Sequence, residues 1–355
     1  MDSQKSKARL YELDLLRFIA AISVLFYHYT FMGYAENHIQ GDYTSPVEYT
    51  ILAPFAQYTY LGVNLFFMIS GFVILLSAKN SSALKFASSR FVRLYPAFWV
   101  AVTLSSAVIF LFGSPNYSVN LPQYIMNLSM ISGYVGIDPV DGVYWTLLIE
   151  LVFYALIFTV LLFKKLDYIE FIMAIWLTII TVSLFFTLPK IGRFLFFPEW
   201  GTYFISGSLV YLIYLKGLDM TRGLLLFAAY ILTLYFAVLE AQELERFYEL
   251  SFSKTIPLVV ISFFYLIFFL IAFNKTQAIR SKKLKTVGAL TYPLYLIHAT
   301  IGFIIFNHFG NTINRYALLI AVILLMIIMA WGIHIFAEKP LAQFLQPKLR
   351  KLLRL

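Results

Sequence analysis

Ionisable side chains are scarce inside the apolar runs of this 355-residue chain, and the few that occur there are the ones able to do chemistry. One run, near residues 13–32, carries Asp14, Arg17 and His28 in Leu13-Asp14-Leu15-Leu16-Arg17 and Phe26-Tyr27-His28. A second carries Glu150 in Tyr144-Trp145-Thr146-Leu147-Leu148-Ile149-Glu150, followed by Phe153-Tyr154, and a third carries His298 in Tyr292-Pro293-Leu294-Tyr295-Leu296-Ile297-His298. Such groups cost several kcal/mol in a membrane-crossing helix unless paired or hydrated, so each is a functional candidate. From Arg17 to His28 a helix turns by about 1100°, within roughly 20° of three full turns, so the two share one face roughly 16 Å apart along the axis. Counting along the runs puts His28, Glu150 and His298 at similar depth. A histidine and a carboxylate so placed suit general-base catalysis, the carboxylate orienting and stabilising the imidazole. The same residues also fit an interfacial Asp14–Arg17 ion pair and a packing histidine, and the spacing leaves both readings open.

A second constellation is Ser89-Arg90-Phe91-Val92-Arg93-Leu94-Tyr95-Pro96. Arg90 and Arg93 are one helical turn apart against the membrane, where two guanidinium forks, joined by Arg17, would suit phosphate groups. Ordinary positive charge beside a span is the competing reading, and it suffices for Lys79 and Lys85. His38 and His308 fall in outer loops, and His334 lies near the cytoplasmic end of the last span, where its ring would snorkel. With no cysteine, disulfides, thiolate metal sites and cysteine nucleophiles are excluded. No metal-ligand spacing, phosphate-binding glycine loop or Gly-x-Ser-x-Gly elbow occurs, so the expected chemistry uses no metal.

The elements that must position these groups are membrane helices. With 61% hydrophobic and only 13% charged residues, water cannot be the main solvent of the chain. Apolar runs near 13–32, 52–77, 94–113, 143–163, 169–188, 199–215, 223–239, 256–273, 288–307 and 316–337 predict an all-α, polytopic integral membrane helical bundle of about ten transmembrane helices. Pro54, Pro96, Pro257 and Pro293 fall near span ends, as helix-start prolines do. Alternate connections gather 21 basic residues on one side, including Lys5, Lys7, Arg9, Arg280 and Arg354, against five on the other. Basic loops stay cytoplasmic, which places both the N- and C-termini in the cytoplasm. The net charge of +9 therefore reads as topology, and no nucleic-acid partner is expected. No internal repeat or linker appears, so the expected organisation is a cytoplasmic N-terminal segment (1–12), one transmembrane domain (13–340) and a basic cytoplasmic tail (341–355). In the outer connection 114–142, Leu121, Tyr124, Ile125, Leu128 and Ile131 fall at helical spacing, which suits a short surface helix or a plain loop.

These residues together resemble the membrane-bound acyltransferase family 3, the O-acetyltransferases of bacterial surface polysaccharides. The resemblance runs from Leu13 to about Pro340. It rests on the Arg17, ten residues, His28 pattern, on Phe66-Phe67-Met68-Ile69-Ser70-Gly71-Phe72, on Arg90 to Pro96, on Trp145 to Tyr154 around Glu150, on Tyr292 to His298, and on Glu338-Lys339-Pro340. It implies a multi-pass protein of the bacterial cytoplasmic (inner) membrane, in contact with membrane lipid. Acetyl-CoA or another short acyl-CoA would donate from the cytoplasm to a hydroxyl of a glycan or lipid-linked saccharide on the outer face. By the same resemblance His28 is the base, with Glu150, Arg17 and Asp14 in the catalytic constellation. Arg17, Arg90 and Arg93 are candidates for the CoA phosphates, and Tyr144, Trp145, Tyr154 and His298 for the acceptor side. Some relatives append a soluble hydrolase-like domain. Here about 18 residues follow the last span, so transfer is expected to finish in the membrane domain or on a partner. Homo-oligomerisation is left open.

The principal alternative is a transporter or flippase for a lipid-linked glycan, which would also need many spans and intramembrane charges. Inverted repeats and paired helix breaks would mark it, and the sequence has neither.

Overall fold

The structure is a computed structural model that describes residues 10–38, 44–279 and 281–353. Lys5, Lys7, Arg9, Arg280 and Arg354, used above for orientation, lie outside the described residues, as do most of the N-terminal segment and the side chain of His38. Among the described residues every regular element is helical. Eight helices among the described residues are long and apolar enough to cross a membrane: Tyr11–Glu36, Ala53–Ala78, Ala83–Phe112, Gly142–Leu162, Met220–Tyr248, Thr255–Ala272, Leu284–Phe309 and Arg315–Leu352. The other two expected spans are also helical. Ile169–Val182 has 14 residues, a length of roughly 21 Å that falls short of a hydrocarbon core of roughly 30 Å. Pro198–Lys216 is 19 residues long and falls outside the eight. Exposed Phe110, Phe163, Phe185, Phe227 and Ile328 have no core to join, which suits contact with lipid tails.

Two compact units make up the chain. The first comprises Met1–Arg17, Val63–Phe86 and Glu150–Leu284. Its packing explains the Phe66–Phe72 segment. Between helices in a membrane apolar burial gives no net drive, so close contact through small residues does the work. Gly71 lies against the backbone of Phe204, and Gly207 against that of Met68, so closely that a Cβ on either would collide with a carbonyl oxygen. Around this contact the Phe67 and Phe204 rings stack at 5.0 Å, and Ser208 Oγ donates to the Gly71 carbonyl at 3.3 Å. A buried polar cluster completes the interface: Asn64 Nδ2 donates to Tyr203 Oη at 2.8 Å and to Glu240 Oε2 at 2.9 Å.

The second unit comprises Phe18–Gly62, Ala87–Ile149 and Lys285–Leu355. Gly302 on the Leu284–Phe309 helix faces the Tyr29 ring, and Gly33 faces Phe303 and Ser45, each with no room for a Cβ. Tyr29 Oη then donates to the His298 carbonyl at 2.6 Å. The first helix changes pitch at this contact: α-helical over Tyr11–Tyr27, it becomes π-helical over His28–Met32. Single π-helical turns are frequent at functional sites. A second one, His334–Glu338, precedes the final helix, Lys339–Leu352.

Two expectations change. Pro96 and Pro293 lie inside helices that begin at Ala83 and Leu284, more than two turns upstream. The helices extend through basic turns that an apolar-run count stops short of, and membrane helices in general tolerate an interior proline. His308 belongs to the last turn of Leu284–Phe309, with Nδ1 2.9 Å from the Ile304 carbonyl, rather than to a loop. In the connection 114–142 a short helix is present over Leu121–Asn127, capped by Asn120 Oδ1, which accepts from the Gln123 amide. Leu121 and Ile125 lie exposed on it.

Candidate functional site

In the second unit the structure brings together two histidines 270 positions apart. His298 is fully buried, and its Nε2 lies 3.1 Å from Nδ1 of half-buried His28. Their partners assign the protons. His298 Nδ1 is 2.8 Å from the Tyr295 carbonyl, which only accepts, so this nitrogen carries hydrogen and Nε2 of the neutral ring is bare. His28 Nδ1 lies between that bare nitrogen and the Val24 carbonyl at 2.7 Å, so it must be the donor to both. The neutral His28 ring then has its lone pair on Nε2, the form required of a base. The π-helical turn beginning at His28 and the Gly302–Tyr29 contact bring the rings together.

The helix carrying His298 is braced by the segment before Glu150. Tyr144 is buried, and its hydroxyl donates to the Leu296 carbonyl at 3.2 Å while its ring meets Phe98 edge-on at 5.1 Å. Thr146 Oγ1 and Tyr295 Oη lie 2.9 Å apart. Asp141, fully buried, accepts the Thr300 amide at 2.9 Å and the Val143 amide at 3.2 Å. Burial raises its carboxyl to about 6, against the pull of those two backbone donors. Trp145 is 39% exposed.

In the first unit, Glu150 Oε1 accepts from Ser70 Oγ at 2.7 Å and from Tyr154 Oη at 2.8 Å. Ser70 neighbours the Gly71 contact, so the Phe66–Phe72 segment supplies both a close approach and a partner for the carboxylate. Asp14 is buried and Arg17 half-buried, one turn apart on the first helix. Near them Glu12 accepts from Thr276 Oγ1 at 3.0 Å.

Arg93 belongs to a part-buried cluster of the second unit that the sequence reading passed over. Its Nη1 pairs with Glu338 Oε1, and its guanidinium lies 5.8 Å from the centre of the Tyr292 ring. Tyr292 Oη in turn donates to the Leu94 carbonyl at 3.2 Å. Glu338 Oε2 is held at 2.8 Å by His334 Nδ1, so both carboxylate oxygens are engaged. His334 therefore does not simply snorkel: the π-helical turn sets it against Glu338. The Arg93 side chain remains 38% exposed and the ion pair engages only one terminal nitrogen, so a five-donor fork keeps capacity for an anion. Arg90 Nη2 lies 3.4 Å from Ser89 Oγ. The signal for this cluster was present in Glu338-Lys339-Pro340, but nothing in local spacing links residue 338 to residue 93.

The family model for the acyltransferase domain of type 3 matches residues 10–336. The chain belongs to acyltransferase family 3. All three groups of side chains fall within or just beyond the matched stretch. Nodulation protein 10 of Rhizobium leguminosarum bv. viciae is 29% identical over 171 residues, 43% of this chain and 44% of that protein, so the match spans less than half of its length. A protein of Acidianus two-tailed virus named "Putative acetyltransferase ORF330" is 26% identical over 248 residues, 67% of this chain and 72% of that protein. No solved structure matches.

Proposed function

We propose that this membrane protein is an O-acyltransferase that moves an acyl group, acetyl above all, from acyl-CoA to a hydroxyl of a glycan or lipid-linked saccharide. The observation that carries the reading is the His28–His298 pair, whose geometry leaves His28 Nε2 as a proton acceptor. Family membership and the name of the viral relative support the reaction class.

The acceptor oxygen attacks the thioester carbonyl carbon as its proton passes to His28 Nε2. A C–O bond forms, the C–S bond breaks, and the proton returns from His28 to the departing sulfur, so that CoA leaves as the thiol. His298 accepts from His28 Nδ1 throughout and so keeps the lone pair on the reacting side. Arg93, backed by Glu338, faces the donor phosphates, and Arg90 and Arg17 are the further candidates. Glu150 and Asp14 remain candidates for positioning roles, and Tyr144, Trp145 and Tyr154 for the acceptor side. The distribution of basic residues supports cytoplasmic termini, and the family resemblance implies a cytoplasmic donor, an outer-face acceptor and a bacterial cytoplasmic membrane as the setting.

Purified protein in proteoliposomes, given acetyl-CoA labelled in the acetyl group, tests this. Acceptor-dependent CoA release with label appearing in the glycan is the expected result. Glycan movement across the bilayer without CoA release would replace the reading with that of a transporter.

A further inference from the structure

The Arg315–Leu352 helix is 38 residues long, roughly 57 Å, about twice the thickness of a hydrocarbon core. Its last part must therefore lie outside the bilayer interior, and the composition changes where it does. After Glu338 the segment Lys339–Leu352 carries Lys339, Lys348, Arg350 and Lys351 and no acidic residue. Its apolar residues are periodic: Leu341, Phe344, Leu345, Leu349 and Leu352 fall within an arc of roughly 140° at 100° per residue. Lys339 and Arg350 point the opposite way. Lys348 falls within the arc, and its ammonium lies 3.5 Å from the centre of the Phe344 ring, so its stem extends the apolar stripe while its charge turns outward.

No residue of this helix is buried. Phe344 is 56% exposed and Leu352 77%, and Phe336 just before the segment is 76% exposed. Leu341, Leu345 and Leu349 are half-buried, but Phe344 and Leu352 leave part of the stripe open, which is unfavourable in water. Two features decide what covers it. The helix is continuous with a membrane-crossing one, so its stripe begins at the bilayer surface. Its charge is wholly positive, which matches an anionic headgroup layer. Pro340 lacks a backbone donor just past the π-helical turn, where an axis bends at least cost.

We propose that Lys339–Leu352 is a lipid-binding element that lies in the headgroup layer and takes anionic phospholipid as its ligand. The stripe enters the acyl boundary, Lys351 at its edge and Lys348 reaching outward from within it meet headgroup phosphates, and Arg350 adds its charge from the opposite face. The inference rests on membrane insertion alone and is independent of the acyltransferase chemistry.

The absence of cysteine allows a clean test on the full-length protein. Single variants Phe344→Cys and Gln346→Cys, carrying a nitroxide, are reconstituted in vesicles of phosphatidylcholine alone or mixed with phosphatidylglycerol. In the mixed vesicles the label at 344 should become accessible to oxygen and shielded from a water-soluble nickel complex, while the label at 346 stays accessible to nickel. Replacing Lys348, Arg350 or Lys351 by Gln should raise the phosphatidylglycerol content at half-maximal shift by about fivefold each, the equivalent of about 1 kcal/mol per basic residue. Burial of the 344 label to the same degree in phosphatidylcholine alone would overturn the anionic-lipid assignment. So would nickel access at 344 in both lipids, or dipolar broadening between labels that shows a second copy of the chain on the stripe.

Discussion

If His298 acts by holding the His28 tautomer, its replacement should cost turnover in a graded way. His298→Leu removes one of the two acceptors facing His28 Nδ1 and leaves the Val24 carbonyl at 2.7 Å. A neutral hydrogen bond is worth about 1 kcal/mol net, and because the donor keeps its Val24 partner no further penalty for an unsatisfied group is added. At room temperature that is a fall of about fivefold in the productive form, and so in kcat. His298→Gln places an amide oxygen within similar reach and should recover most of the loss. Neither change touches Arg93 or Glu338, so the KM for acetyl-CoA should stay constant in both. Initial rates of CoA release, with acceptor saturating and acetyl-CoA varied, separate the two parameters. Equal activity in His298→Leu and the unsubstituted protein, or an equal fall in the Leu and Gln variants, would refute the tautomer argument.

Other expectations follow from the same geometry. Arg93→Ala should raise the KM for acetyl-CoA and also destabilise the fold by about 1 to 3 kcal/mol, below the range for a fully buried pair because the guanidinium is part-exposed. Adding Glu338→Gln should restore the thermal midpoint but not the KM, and recovery of both would make Arg93 purely structural. Asp141 binds its proton more tightly in the folded state, about 6 against 3.8, so its stabilising contribution is full below about pH 4 and is lost as pH rises through about 6. The thermal midpoint of the unsubstituted protein should accordingly fall relative to Asp141→Asn across that window, and a constant difference would contradict it. A reporter fused after Lys282 or Arg354 should behave as cytoplasmic and one within residues 115–140 as external, and a cytoplasmic signal from the latter would reverse the orientation.

The helical membrane class was legible because hydropathy over a bilayer's thickness is a long-range average that single residues barely disturb. His28, Glu150 and His298 stood out as candidates for the opposite reason, since a polar group in an apolar run is conspicuous. Partner choice was not legible. Rotation of a helix about its axis leaves no trace in hydropathy when its lipid-facing and protein-facing sides are equally apolar. The contact between His28 and His298, a residue expected to line the acceptor side, was therefore beyond a sequence reading. The Ser70 and Tyr154 partners of Glu150 were hidden in the same way, although Tyr154 lies only one turn away. Small residues gave the available clue: Gly71, Gly207 and Gly302 mark where backbones approach. Boundaries failed where basic residues continue a helix past its apolar run, as at Ala83 and Leu284.

The central claim is that His28 Nε2 takes the acceptor proton, and acyl transfer by His28→Gln in membranes measures it most directly. Glutamine keeps bulk and hydrogen bonding but cannot accept the proton, whereas a positioned imidazole contributes about 10²- to 10⁴-fold. With insertion and expression unchanged, labelled acetyl transfer to the glycan should fall by that factor. Transfer at near the unsubstituted rate would contradict the account and leave His28 as a packing residue beside His298.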